Sequence, residues 1–327
     1  RMEWAASSDE IVMQYLNRLQ NELEVVLGDA ETGAVRTVRT ELEETWVDAV
    51  DDLFWLEDGA RFTWVSEQDG WRRLYMMNRD GSDMQPLTPP DADMISLLLL
   101  DEDSGWVYYM ASPDDAVRRY LYRSPLDGSM RAERISPADQ AGVHTYNMSP
   151  DAKWALQTFS TFDTPPVYSM VELPSHRVAR VMAGNAELRE KVAAIKQRPT
   201  EFFRVDIGDG IELDMWMMKP NDFDPARKYP ALLYVYGGPW DATVTDRWTG
   251  TRMLWYQYLT EQGYIVMSVD NRGTPAPRGH DWRKIIYQKD GIISSYDHAN
   301  AVRSVTAERP YVDADRIAIW GWSGGGV

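Results

Sequence analysis

Five residues near the carboxyl end, Gly321-Trp322-Ser323-Gly324-Gly325, fit the spacing G-x-S-x-G. That spacing suits a serine nucleophile. Such a serine projects from a sharp strand-to-helix turn, and the positions two before and two after it must be small because the two backbones nearly touch there. A helix starting at the turn would aim its N-terminus at a developing oxyanion. With Gly and Ser each near ~7% of residues, the bare pattern arises by chance in roughly one chain of this length in ten. The surroundings raise its weight. Arg316 to Trp320 alternates and is apolar-rich, as a short buried strand should be, and Asp313 and Asp315 read as a polar turn before it. A glycine-rich loop without chemistry is the competing reading.

A serine nucleophile needs a base. In this setting the triad runs Ser, then Asp or Glu, then His along the chain, yet His144, His176, His280 and His298 all precede Ser323. The expectation is a chain cut just inside the elbow helix, with its carboxylate and histidine beyond Val327; a serine with no base is the alternative. The chain also opens on Arg1-Met2-Glu3-Trp4, inside a strand-like stretch without a signal peptide, which extends the same expectation to its amino end.

Three strands must position the serine. Ala231 to Tyr236 and Tyr264 to Val269 are near-continuous apolar runs, as in a buried parallel sheet, and Arg316 to Trp320 is the third. Helices are expected over 248–262 and 294–308 between them. The strands end in Gly237-Gly238-Pro239, in Asp270-Asn271-Arg272-Gly273 and at the elbow. Alternating strands and helices mean an α/β domain, whose site lies beyond the C-terminal strand ends. Tyr236, Asp270 and Ser323 all fall there. Before it come a hairpin around Gly208-Asp209-Gly210, a polar loop over 219–229 and a helix over 187–197 that ends before Pro199.

Residues 1–185 read differently. Short aromatic and β-branched strands recur in units of about 45 to 50 residues closed by turns such as Asp80-Gly81, Asp127-Gly128 and Thr32-Gly33. That is the period of a four-stranded propeller blade. Four units are visible, and a unit of this kind must stack on others to bury both faces. An unrelated run of hairpins is the alternative.

Composition sets bounds. The 327 residues suggest about two domains. A net charge of −17 argues against nucleic acid and anionic membrane surfaces. It suits a soluble protein, or a site that attracts cationic groups. No cysteine is present, so there is neither a disulfide nor a thiolate metal site. No apolar run approaches the length of a membrane span.

At this point the chain resembles the prolyl oligopeptidase family of serine peptidases, in its dipeptidyl peptidase IV branch. The resemblance rests on Trp4-Ala5 with Leu16 to Asn21, Lys228-Tyr229-Pro230, Val235-Tyr236-Gly237-Gly238-Pro239, Asp270-Asn271-Arg272-Gly273 and Asp315 to Ser323, spread in family order over nearly the whole chain. It implies a partial β-propeller over 1–185, a linker helix over 186–200 and the N-terminal part of an α/β-hydrolase domain over 201–327. It implies Ser323 as the acylating nucleophile, with the Tyr236 hydroxyl and the Gly324 N–H as oxyanion donors. Short peptides with Pro or Ala second from the amino end are the implied substrates, with no cofactor and no metal. The resemblance also allows a homodimer and a periplasmic or secreted location.

Departures qualify this. The mammalian members carry Tyr after the serine; Gly324 is smaller and would open the proline pocket. The family's paired glutamates that bind the substrate amino terminus have no match here. Without them, prolyl oligopeptidase and acylaminoacyl-peptidase activities stay open, as does a catalytically dead peptide-binding protein. Other groups read as bland. Glu43-Glu44 is surface charge, Asp91-Ala92-Asp93 and Asp101-Glu102-Asp103 are solvated turns, and Asp270 holds a loop. His280 and His298 lack metal-ligand spacing, and Gly324-Gly325-Gly326 lacks the lysine of a phosphate loop.

Overall fold

Turn residues cut the first 185 residues into four antiparallel sheets of four strands. The structure, a computed structural model, describes residues 1–195 and 198–326. The first sheet holds β1 (Met2–Trp4), β2 (Glu10–Leu16), β3 (Glu22–Asp29) and β4 (Val35–Leu42). The second holds β5 (Trp55–Leu56), β6 (Arg61–Ser66), β7 (Arg73–Asn78) and β8 (Gln85–Pro86). The third holds β9 (Met94–Asp101), β10 (Trp106–Ala111), β11 (Tyr120–Pro125) and β12 (Glu133–Arg134). The fourth holds β13 (Val143–Met148), β14 (Trp154–Ser160), β15 (Val167–Glu172) and β16 (Val178–Ala183). Each is a meander in which neighbours in sequence are neighbours in the sheet.

The turns carry the plan. Gly81 takes φ +85°, and a Cβ there would run into the Val38 carbonyl. The turn of the second sheet therefore rests directly on β4 of the first. Buried side chains weld the sheets together. Leu23, Phe62, Trp64, Leu74 and Val107 belong to one core across the first three sheets. Tyr108, Leu121, Tyr146 and Val171 form another between the third and fourth.

Helix α1 (Ala186–Ile195) follows. Its start agrees with the sequence reading; Lys196 and Gln197, the expected last residues, lie outside the described residues. Next comes a five-stranded mixed sheet of β17 (Glu201–Asp206), β18 (Glu212–Met218), β19 (Tyr229–Val235), β20 (Ile265–Val269) and β21 (Val312–Gly321), in the order β17-β18-β20-β19-β21. β19 runs parallel to both β20 and β21. Helix α2 (Thr251–Glu261) connects β19 to β20, and α3 (His280–Lys284) and α4 (Ile292–Glu308) connect β20 to β21.

Alternation along each strand builds two cores. Met215, Met217, Leu233, Met267 and Val269 pack with Ala301 and Val305 of α4. Trp216, Met218, Tyr234 and Val266 point the other way, toward Met253 and Tyr256 of α2 and toward Val117 and Phe162 from the outer sheets. Both faces of β18, β19 and β20 are thus covered, which is why β19 and β20 read as unbroken apolar runs; β21, expected as a short buried strand, instead leaves Ala318 and Ile319 exposed.

The structure differs from the sequence reading in one strand and one helix. β21 begins at Val312, so Asp313 and Asp315 are strand residues rather than a turn. They fit because the ladder to β19 breaks register between Val312 and Ile317, and Asp313 accepts bonds from the Asp315 N–H at 3.2 Å and Arg316 Nε at 2.7 Å. The five-residue α3 was not foreseen, being too short to show a helical period. Among the described residues no helix is long and apolar enough to cross a membrane.

Candidate active site

The parallel pairing of β19 with β21 decides what meets at the sheet edge. Val235 is level with Gly321, so the two chains turn away from the sheet side by side. After β21, Ser323 sits exposed in a left-handed conformation with φ +56°. That is a strained place for a residue with a side chain, and such strain gathers at functional turns. The chain then tightens into a helical turn over Ser323–Gly326, with the Gly325 N–H donating to the Trp322 carbonyl at 3.1 Å.

The glycines of the pattern are required by space. A Cβ at Gly321 would strike the Gly325 carbonyl and lie 2.6 Å from the Val235 oxygen. A Cβ at Gly325 would strike the Val235 carbonyl and lie 3.1 Å from Tyr236 Cα. Gly324 is different: a Cβ there would make ordinary contacts, 3.4 Å from the Tyr236 oxygen and 3.7 Å from Tyr236 Cζ. The half-buried Tyr236 ring therefore lies over the residue next to Ser323. Ser323, Gly324 and Tyr236 are brought together by the fold.

The turn bearing Tyr236 is braced from below. Asn271 Nδ2 donates to the Gly237 carbonyl at 3.1 Å, tying the end of β20 to the end of β19. A Cβ at Gly237 would lie within 4 Å of Ser294 and of His298 Cε1 on α4. His298 is buried, its Nε2 has no hydrogen-bond partner, and burial lowers it to about 4 against the pull of Asp297. Asp297, fully buried beside it, accepts the Arg272 N–H at 2.9 Å and Arg272 Nη2 at 2.7 Å. No sequence signal pointed to Ser294, Asp297 or His298, because a helix interior offers no motif.

Asp270 does hold a loop. It accepts the Thr243 N–H at 2.7 Å, the Thr243 hydroxyl at 2.9 Å and the Val244 N–H at 3.1 Å. Burial pushes its carboxyl up to about 6 even against those three donors. His144 and His176 belong to a polar knot in the fourth sheet. Gln140 and Gln157 hold His144, and the Tyr146 hydroxyl lies 2.9 Å from His176 Nε2. Burial lowers His144 to about 4.

Two readings are corrected by packing. Asp93 is not solvated; it is buried and accepts the N–H groups of Arg72 and Gly279, each at 2.8 Å, and Arg283 Nη1 at 2.5 Å. Glu43 is not free surface charge, since His280 Nε2 lies 3.1 Å from it. Both changes have one cause. α3 plants His280, Arg283 and Lys284 on the outer sheets, where Glu43, Asp48, Glu67 and Asp93 receive them. Burial opposes the charge on His280, but Asp281 and Glu43 hold it above the ordinary range.

A cavity of about 550 Å³ opens between the outer sheets and the mixed sheet. Pro239 and Trp240, just past Tyr236, form part of its wall, with Trp46, Tyr287, Arg72 and Arg119. The site is thus a serine turn and a tyrosine at the strand ends, bordered by a chamber in which Trp46, Trp240 and Tyr287 stand among aliphatic, proline and charged side chains. No cluster of metal-ligating side chains occurs among the described residues.

Family comparison fits this geometry. The family model for the dipeptidyl peptidase IV N-terminal region matches residues 1–166, just over half of the chain. The model for the prolyl oligopeptidase family matches residues 251–327. The chain belongs to the dipeptidyl peptidase IV branch of the prolyl oligopeptidase family. A probable dipeptidyl peptidase 4 of Emericella nidulans is 28% identical over 97% of the chain. A probable dipeptidyl-aminopeptidase B of the same organism is 30% identical over 99% of it. The crystal structure of Porphyromonas gingivalis dipeptidyl peptidase 4 matches 99% of the chain with a TM-score of 0.90 at 32% identity. The chain spans 42% and 36% of the lengths of the two Emericella proteins and 45% of the Porphyromonas chain. Within this dipeptidyl peptidase IV relative, the second match opens at α2 and takes in the Ser323 turn, while Tyr236 lies in the stretch between the two matches.

Proposed function

We propose that the protein is a serine peptidase of the dipeptidyl peptidase type, releasing amino-terminal dipeptides with Pro or Ala second from short peptides. The observation that carries the reading is the left-handed, exposed Ser323 on a turn whose flanking glycines admit no side chain, with Tyr236 against its neighbour. Ser323 Oγ attacks the scissile carbonyl and its proton passes to a base. The negative charge on the carbonyl oxygen is met by the Tyr236 hydroxyl and the Gly324 N–H. The C–N bond breaks, the leaving amine takes the proton, and water then hydrolyses the acyl-enzyme. The base is assigned to none of the four histidines of this chain, which bind carbonyls, carboxylates or hydroxyls elsewhere or, in His298, point an unpartnered nitrogen into the core. A polypeptide of these 327 residues alone is therefore expected to be inactive, since losing a triad base costs on the order of a millionfold.

The architecture goes with the function. The four outer sheets, residues 1–185, are proposed as propeller blades, residues 186–200 as a linker, and residues 201–327 as part of an α/β-hydrolase domain. The strand order of the mixed sheet and the position of Ser323 at a β-strand end support that division.

The test is labelling of the native protein by a fluorophosphonate, with turnover of an aminoacyl-prolyl reporter beside its N-blocked counterpart. Labelling that vanishes in Ser323→Ala, with turnover of the free-amine reporter only, is expected. Preference for the N-blocked reporter would move the reading to an endo- or acylaminoacyl-peptidase. Peptide binding without labelling would leave a binding protein instead.

A further inference from the structure

We propose that the cavity beside the Tyr236 turn contains a carboxylate-binding site formed by Arg119 and Arg72, which recognises a negative charge on the bound peptide away from the bond that is cleaved. For the nature of its ligand this rests on the peptidase reading.

In a chain of net charge −17, the cavity wall presents two guanidinium groups without a contacting carboxylate among the described residues. Arg119 lies between β10 and β11, and its Nη1 donates to the carbonyls of Ala116 at 2.6 Å and Arg118 at 2.5 Å. Those bonds orient the group and bring no carboxylate into contact with it. The carboxylates at hand are taken by the adjacent Arg118, which pairs with Asp115 at 2.5 Å and Asp246 at 3.0 Å. Asp270 favours the charged form of Arg119 through space only. Arg72 spends its main-chain N–H on Asp93. Its guanidinium makes no ion pair or hydrogen bond among the described residues, although Asp48 and Asp52 feel its charge.

Of the remaining acidic groups of the wall, two are paired with other cations and the third lies exposed. Asp93 is held by Arg283 and two main-chain N–H groups, and Asp48 by Lys284 Nζ at 3.1 Å. Asp290, exposed, accepts the Gly291 N–H at 3.0 Å. A cation drawn out of water without a partner is costly, and a ligand carboxylate removes that cost. The planar guanidinium fork suits carboxylate oxygens two at a time. The rest of the wall suits a peptide. Trp46 and Tyr287 pair with ring centroids 6.1 Å apart, and Pro239, Trp240 and Pro275 extend the apolar lining. A mainly apolar chamber with a few placed polar groups is the usual form of a ligand site.

Two carboxylates fit this chemistry, an Asp or Glu side chain within the peptide and the α-carboxylate at the end of a short one. Calorimetry on the native protein carrying Ser323→Ala separates them. Three matched hexapeptides with Pro second are compared: one neutral, with Gln at position five and an amide end; one with Glu at position five; and one with a free carboxyl end. One of the acidic peptides is expected to bind about 10-fold tighter than the neutral one, the worth of a charge-assisted bond pair. Adding Arg119→Gln should bring that ratio to about 1, while Arg119→Lys retains part of it. The arm that responds names the carboxylate. A ratio near 1 in the parent, or one that survives Arg119→Gln, overturns the site. If no peptide binds, the peptidase reading falls, and glutarate decides the site alone. Binding heat that is lost on Arg119→Gln supports the site, and absence of heat in the parent overturns it.

Discussion

At the scale of single residues, the serine turn is a problem of space. Gly325 and Gly324 are adjacent and chemically identical, yet only Gly325 faces a carbonyl that a methyl group would strike. Gly325→Ala is therefore expected to abolish fluorophosphonate labelling, whereas Gly324→Ala keeps it; equal loss in both would refute the steric account. In the proposed mechanism the Tyr236 hydroxyl meets charge that exists only during reaction, so Tyr236→Phe should lower kcat by about 10²–10³-fold with KM little changed. An increase in KM alone would assign Tyr236 to ground-state binding. The places of Ser323 and Tyr236 at neighbouring strand ends were legible in the sequence, since a strand end followed by glycines is a local pattern. Asp93 and Glu43 were misread for the opposite reason. Their partners, Arg283 and His280, lie 190 and 237 positions away, and nothing near Asp93 in the chain distinguishes a buried acceptor from a solvated one.

At the scale of elements, the strands of the mixed sheet could be read because burial on both faces leaves an unbroken apolar run, as in Leu232 to Val235. α3 could not, because its five residues are held by ion pairs rather than by an apolar stripe. The buried histidines give this level a pH signature. His144 on β13 and His298 on α4 are each lowered to about 4, while in the unfolded chain a histidine titrates near ~6.5. Between those values the unfolded state binds more protons, so stability falls as pH drops from about 6.5 to about 4. Asp270 works in the other sense. Its native pKa of about 6 lets the folded state hold an extra proton from about pH 6 to about 4, offsetting roughly one histidine over that span. Denaturant unfolding from pH 7 to 4 should show the net decline, and His298→Gln should flatten it. A pH slope unchanged by His298→Gln would show that this histidine does not stay neutral.

At the scale of the whole molecule, the outer sheets and the mixed sheet are joined by α3, whose three cations enter acidic positions on the first two sheets and the loop before β9. Removing one carboxylate while leaving its buried cation is expected to cost about 3–5 kcal/mol. Asp93→Ala should lower unfolding stability toward the low end of that range, because Glu67 still pairs with Arg283, and Asp93→Asn by less, since an amide oxygen can still accept the Gly279 N–H. Equal, small losses would mean that water reaches Arg283. The same join has a consequence for how the chain is made. Asp93 is synthesised 190 positions ahead of Arg283, and at about 5–20 residues per second the interval is roughly ten to forty seconds. For that time the blade-like sheets stand beside the ribosome with their carboxylates facing water and no cation to receive. They complete their electrostatics only when a later segment folds back onto them, so the sheets made first wait for a helix made last among these contacts.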